Sequence, residues 1–148
     1  MNELASSDGF TTRDKIFAAE AFMKEQPQVE IPVQHYFSQG VYAREITIPA
    51  GVILTGEIHK FTQLNILSKG RMQVYTEEGI REVEAPFTVV SPPGTKRIAH
   101  TITECVWTTI HGTEETDIEV IRSHYIAKDE NEWLEFNAAN HKQLELGF

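Results

Sequence analysis

From Ile31 onward the chain reads as short runs rich in Val, Ile, Thr, Tyr and Phe in which apolar and polar positions alternate, and Gly or Pro breaks each run. Alternation with period two is the mark of strands that hide one face. It predicts strands over 32–38, 41–48, 52–61, 63–69, 71–76, 80–84, 87–91, 96–103 and 105–111. Turn residues stand between them at Gln39-Gly40, Pro49-Ala50-Gly51, Lys69-Gly70, Glu78-Gly79 and Pro92-Pro93-Gly94. Turns this short join antiparallel neighbours. So many strands, each with a face to bury, do not make one flat sheet; a closed barrel or a two-sheet roll is expected, with Gly51, Gly56, Gly70 and Gly94 in architectural roles at its corners.

The flanks follow a different period. Thr11 and Asp14 have the spacing of a capping box, and Ile16, Phe17, Ala19, Phe22 and Met23 form a helical stripe that Pro27 ends. This helix packs either on the barrel or on a second subunit, and residues 1–11 read as a loose arm. After Gly112, Thr116 and Glu119 have the spacing to cap a short helix, while the same stretch also fits a last strand across 118–126. Asp129 to Glu132 before Trp133, Leu134 and Phe136 predicts a further short helix over one end of the barrel, with His124 and His141 at the surface. No repeat, low-complexity tract or linker divides the chain. The expected organisation is an arm and helix over 1–30, a β-barrel over 31–126 and a helical tail over 127–148.

Composition narrows the function classes. A length of 148 residues suits one core. Thirteen Lys and Arg against 22 Asp and Glu give a net charge of −9, which repels a nucleic-acid polymer. The single cysteine, Cys105, forms no intrachain disulfide, and the first residues lack the layout of a secretory signal, so a cytoplasmic location is expected. No apolar stretch is long enough to cross a bilayer, so no membrane partner is expected.

The segment GVILTGEIHKFTQLNILSKG, residues 51–70, resembles the first signature of the cupin superfamily, with Gly51 and Gly70 in the glycine places. Glu57, His59 and Gln63 then fall where that signature carries His, His and Glu. SPPGTKRIAH, residues 91–100, resembles the second signature through Pro92 and Gly94, with Arg97 in the place of a His and Thr101 in that of an Asn. The segments GVYAREITIPAG, SPPGTKR and VWTTIHGTEETD are further similar to small cupin-like proteins encoded by tailed bacteriophages. The resemblance implies a mainly β fold: a double-stranded β-helix, or jelly-roll barrel, with an N-terminal helix and short C-terminal helices. It also implies a homodimer, in the host cytoplasm if the protein is phage-encoded, and transfers no particular activity.

The residues at these places change the expected chemistry. A divalent-ion site needs three or more His or carboxylate donors. Here Arg97 brings a permanent positive charge and no lone pair, so a metal or other cofactor is not expected, and the one remaining route would join His59 and Glu57 to His100 or His111. On 41–48, Tyr42 and Arg44 share a face; on 105–111, Trp107 and His111 do. If these faces point inward, Arg44, Arg97 and His59, with Gln63, line one pocket walled by Tyr42 or Trp107. Guanidinium groups bind phosphate and carboxylate, and aromatic faces stack on rings, so a polar or anionic small ligand, nucleotide-, sugar-phosphate- or carboxylate-like, is expected. The enzyme alternatives are an isomerase or epimerase in which His59 is the base and Glu57 its partner, or a degenerate metal-dependent oxygenase or isomerase. A structural or oligomerisation module is the third possibility.

Overall fold

The structure, a computed structural model, describes residues 9–145, with side chains up to residue 140, so most of the expected N-terminal arm and the side chain of His141 lie outside it. Alternation in the sequence becomes a run of antiparallel strands: β1 (Val33–Ser38), β2 (Val41–Ile48), β3 (Ile53–Thr55), β4 (Ile58–His59), β5 (Gln63–Lys69), β6 (Arg71–Thr76), β7 (Gly79–Glu84), β8 (Phe87–Ser91), β9 (Ile98–Thr101) and β10 (Cys105–Gly112). They form one sheet in the order β1-β2-β10-β5-β8 and a facing sheet in the order β3-β9-β6-β7. Between the sheets Ile48, Val52, Leu67, Met72, Val83 and Cys105 pack into a buried cluster at one end of the roll. The turns explain the glycines: Gly70 has a φ of 94°, and a Cβ there would meet the Glu104 carbonyl oxygen at 2.2 Å.

Three elements differ from the sequence pattern. The strand expected over 52–61 breaks at Gly56-Glu57, because the Gly56 N–H bonds to the Arg97 carbonyl while the Arg97 Cγ lies 3.3 Å from where a Gly56 Cβ would sit. The chain bends there, and β4 leaves the main sheet to pair with β11 (Ile126–Ala127). The two readings of 118–126 are both partly realised. Helix α2 (Ile118–Tyr125) precedes the short β11, and its cap is Asp117, whose side chain accepts from the Glu119 and Val120 N–H groups, rather than Thr116. Helix α3 (Glu130–Glu145) is 16 residues long and so extends well beyond the short segment expected.

The N-terminal helix, α1 (Thr12–Lys24), has the predicted capping box between Thr11 and Asp14. It docks on its own roll by a buried Ile16 and by charge. Arg13 reaches Glu130 at 2.6 Å, Glu77 at 2.6 Å and the Gly94 carbonyl at 2.8 Å. Glu20 reaches Lys96 at 2.5 Å and Thr55 at 2.6 Å. Phe22 of the predicted stripe stays outside, 65% exposed.

Candidate functional site

Strand register stacks the inward side chains in rows. Tyr42 lies beside His111, Arg44 beside Thr109, and Ile46 beside Trp107 across β2 and β10. On the other side of β10, Thr109 meets Asn65 and Trp107 meets Leu67. Gln63, two residues from Asn65 on the same face, lies beside Ser91 of β8. From the facing sheet come Leu54, Ala99 and Val74 in one row and Thr101 and Met72 in the next. The rows thus run from aromatic and polar at the mouth, through polar and cationic, to apolar at the closed end.

These rows enclose a cavity of about 340 Å³ whose lining includes Tyr42, Arg44, Glu57, His59, Gln63, Arg97, Trp107 and His111. The structure therefore brings together every residue expected in the pocket. His100 is different: it pairs with Ile53 and Gln73 on the face opposite Ala99, and it does not line the cavity. The expected metal route through His100 is corrected by the pleat, since Ala99 takes the inward position beside it and Arg97 lines the cavity from the residue before the strand.

Helix α2 covers the mouth. Its Ile118, Ile121, Arg122 and Tyr125 fall three to four residues apart and all line the cavity. Arg122 holds the Glu57 carboxylate through both guanidinium nitrogens, Lys60 donates to the Ser123 carbonyl at 3.2 Å, and the Lys60 N–H bonds to the Tyr125 carbonyl at 2.7 Å. Glu57 is therefore not the orienting partner of His59. Surroundings that disfavour its charge are outweighed by Arg122, and its carboxyl is held below the usual range. The His59 ring bonds through Nδ1 to the Glu57 main-chain carbonyl, at 3.3 Å. A carbonyl only accepts, so that nitrogen carries the proton and Nε2 presents a lone pair.

The rim is aromatic and neutral. His59 and His111 stack with ring centroids 5.4 Å apart, Tyr125 lies 4.5 Å from His111, and Tyr42 lies 6.0 Å from it. Burial lowers His59 to about 4, with the neighbouring His111 adding to the effect, and burial with the Arg44 charge lowers His111 to about 4. The Tyr42 hydroxyl meets His35 Nδ1 at 2.7 Å, and burial raises its pKa.

Below the rim lies a polar chain that sequence reading did not single out. Thr109 Oγ1 donates to Asn65 Oδ1 at 2.8 Å, and Asn65 Nδ2 donates to Ser91 Oγ at 3.0 Å. Arg97 Nη2 donates to the same Ser91 oxygen at 2.6 Å. The hydroxyl of Ser91 accepts twice and keeps its own proton to give. The signal for this chain was Asn65 alternating with Gln63 and Leu67 on a buried face; the partner across the sheet cannot be read from one strand.

Arg97 is the least satisfied group in the site. Its Nε and the Gln63 Oε1 are buried without a hydrogen-bond partner. Its guanidinium sits 5.7 Å from the Trp107 ring centroid, and burial lowers its pKa. Among the described residues no carboxylate forms an ion pair with Arg97 or Arg44. The backbone around Arg97 is held firmly all the same: the next-door Lys96, 4% exposed, bonds to Glu20 and to the Gly56 carbonyl at 2.7 Å.

No family model and no curated protein matches the sequence. Solved structures do. Ectoine synthase from P. lautus aligns with a TM-score of 0.53 and 9% identity over 69% of this chain and 78% of that one. A cupin superfamily protein from Desulfitobacterium hafniense gives 0.48 at 10% identity, over 60% and 82% of the two chains. An RmlC-like cupin from Methanocaldococcus jannaschii gives 0.48 at 15% identity, over 61% and 86%. The fold is a cupin-like jelly roll. At these identities the likeness carries the architecture and leaves the chemistry of this roll to its own residues.

The four places that the resemblance to cupin signatures sets against metal ligands do not suit a cation. Of the four, Glu57 is bound to Arg122, Gln63 is a neutral amide and Arg97 is itself a cation, which leaves His59 with His111 as the nearby imidazole. Among the described residues no group of three or more His, Cys, Asp or Glu is arranged to hold a metal ion. Two imidazoles facing two guanidinium groups form a poor donor set for a divalent ion.

Proposed function

We propose that this cupin roll, of phage origin as the likeness of its GVYAREITIPAG and SPPGTKR segments suggests, is a cytoplasmic, homodimeric protein that binds an anionic small molecule in its mouth without metal chemistry. The observation that carries the proposal is the pair of cavity-lining guanidinium groups, Arg44 and Arg97, with no carboxylate partner among the described residues, one of them with a buried Nε that bonds to nothing. A buried charge without a counter-ion costs several kcal/mol, and a bound phosphate or carboxylate would recover part of that. That such a feature stands in a chain of net charge −9 supports a local role for it.

The isomerase reading has less support. A histidine held at about 4 is a weak base for removing a proton beside a carbonyl, its expected partner Glu57 is engaged elsewhere, and the Tyr42 hydroxyl is turned to His35. The test is calorimetric titration of the full chain with inorganic phosphate, ribose phosphate, a nucleoside monophosphate and benzoate. At least one binds, and Arg97→Gln weakens it by about tenfold or more, the size expected for a charge-assisted hydrogen bond. No binding by any of them, together with one equivalent of retained metal in elemental analysis, overturns the proposal.

A further inference from the structure

The cationic row does not sit at the bottom of the cavity. Beneath Arg44 and Arg97 the lining continues through Ile46, Leu54, Val74, Ala99 and Trp107. The cavity reaches down to Ile48 and Met72, both 2% exposed. Thr101, in the row of Met72, does not line the cavity, and its hydroxyl is already engaged: it donates to the Pro49 carbonyl at 2.6 Å and accepts the Val52 N–H at 2.9 Å. A sugar or a ribose placed there would leave its hydroxyls unpaired. Water would fare no better, because an apolar hollow offers it too few partners.

Resting on the anion-binding reading above, we infer that the ligand is an amphipathic carboxylate: its charged head lies between Arg44 and Arg97, and an acyl or aromatic tail points away from the mouth into the apolar rows against Trp107. The tail displaces poorly held water and gains contact on all sides. Size agrees with this. About 340 Å³ is at the small end of the roughly 300–1,000 Å³ found for small-molecule sites, room for a short acyl chain or a single ring rather than for a nucleotide. The neutral stack of His59, His111 and Tyr125 closes over the head, shutting it from bulk water without adding a competing charge.

The experiment is a titration series on the full chain with acetate, hexanoate, benzoate, inorganic phosphate and hexanol. Hexanoate and benzoate bind about tenfold or more tighter than acetate, as burial of several carbons predicts, and hexanol binds at least about tenfold more weakly than hexanoate. Ala99→Leu, which fills the lower rows with an apolar side chain, brings the ratio of hexanoate to acetate affinity down to near one. Acetate or phosphate binding as tightly as hexanoate overturns the amphipathic ligand while the anion reading stands. Hexanol binding as tightly as hexanoate overturns both, as does the absence of binding by every probe.

Discussion

Arg97 lines the cavity from the residue just before β9, whose inward Ala99 and buried Thr101 are small, and Gly56 lets its stem pass. Removing its charge therefore has an unusual sign for a buried residue. Arg97→Gln keeps the melting temperature within about 3 °C or raises it, because an uncompensated cation leaves the interior, while anion affinity falls; a large loss of stability in a thermal melt would mean the arginine is structural. The two rim imidazoles carry the pH dependence. In the unfolded chain they titrate near 6.5 and in the folded chain at about 4, so between these values the unfolded state binds more protons. Stability is complete above about pH 6.5 and is lost as the pH falls toward 4. Thermal melts across that range should fall in the native chain and flatten in His59→Phe/His111→Phe; equal slopes in both would assign the loss to other groups. The guanidinium at 97 and the imidazoles at 59 and 111 were legible in the sequence as residue types at spaced positions. That Glu57 turns to Arg122 was not, because the partner lies 65 residues away on a helix whose place over the mouth depends on the tertiary fold.

Among the elements, α2 and α1 act on the site in different ways. The first closes the mouth with one face and is fastened by the Arg122–Glu57 pair, whose side chains are 38% and 41% exposed. A pair so exposed is worth about 0.2–1 kcal/mol, so Glu57→Gln leaves the global melting point nearly unchanged. Hydrogen exchange over 118–125 should nevertheless speed up, and ligand association and release with it; unchanged exchange there would show that β11 and the Lys60 contacts hold the helix alone. Helix α1 supports the other wall through Glu20 and Lys96. Glu20→Ala strands a lysine that is 4% exposed and should destabilise the protein by about 3 kcal/mol, measured by denaturant titration, with weaker anion binding because Arg97 is the next residue. An equal loss in stability without any change in binding would separate the two residues. Most strands were readable because period two survives in every half-buried run. The break at Gly56-Glu57 was not, since the cause is a bond to the Arg97 carbonyl 41 residues further along the chain, and the length of α3 was hidden by the weak periodicity of its second half.

Over the whole molecule, the acidic surface and the cationic interior are separate facts. A net charge of −9 weighs against long polyanions, whereas on the proposed reading a small anion entering the mouth meets Arg44 and Arg97 behind a neutral rim. The architecture was legible because glycine corners and short turns leave an antiparallel chain few ways to hide so many faces. The contents of the cup were less so, for the rows that line it are assembled across both sheets and register is not written in any one strand. The description stands or falls with what occupies the space between the two guanidinium groups. Crystals grown with para-bromobenzoate and measured at the bromine edge address this directly: the carboxylate is expected within hydrogen-bond reach of Arg44 and Arg97, with the bromine peak deeper in the roll against Trp107. Coordinates in which Arg97 turns to solvent, or in which His59 and His111 close around a metal ion in its place, would contradict it.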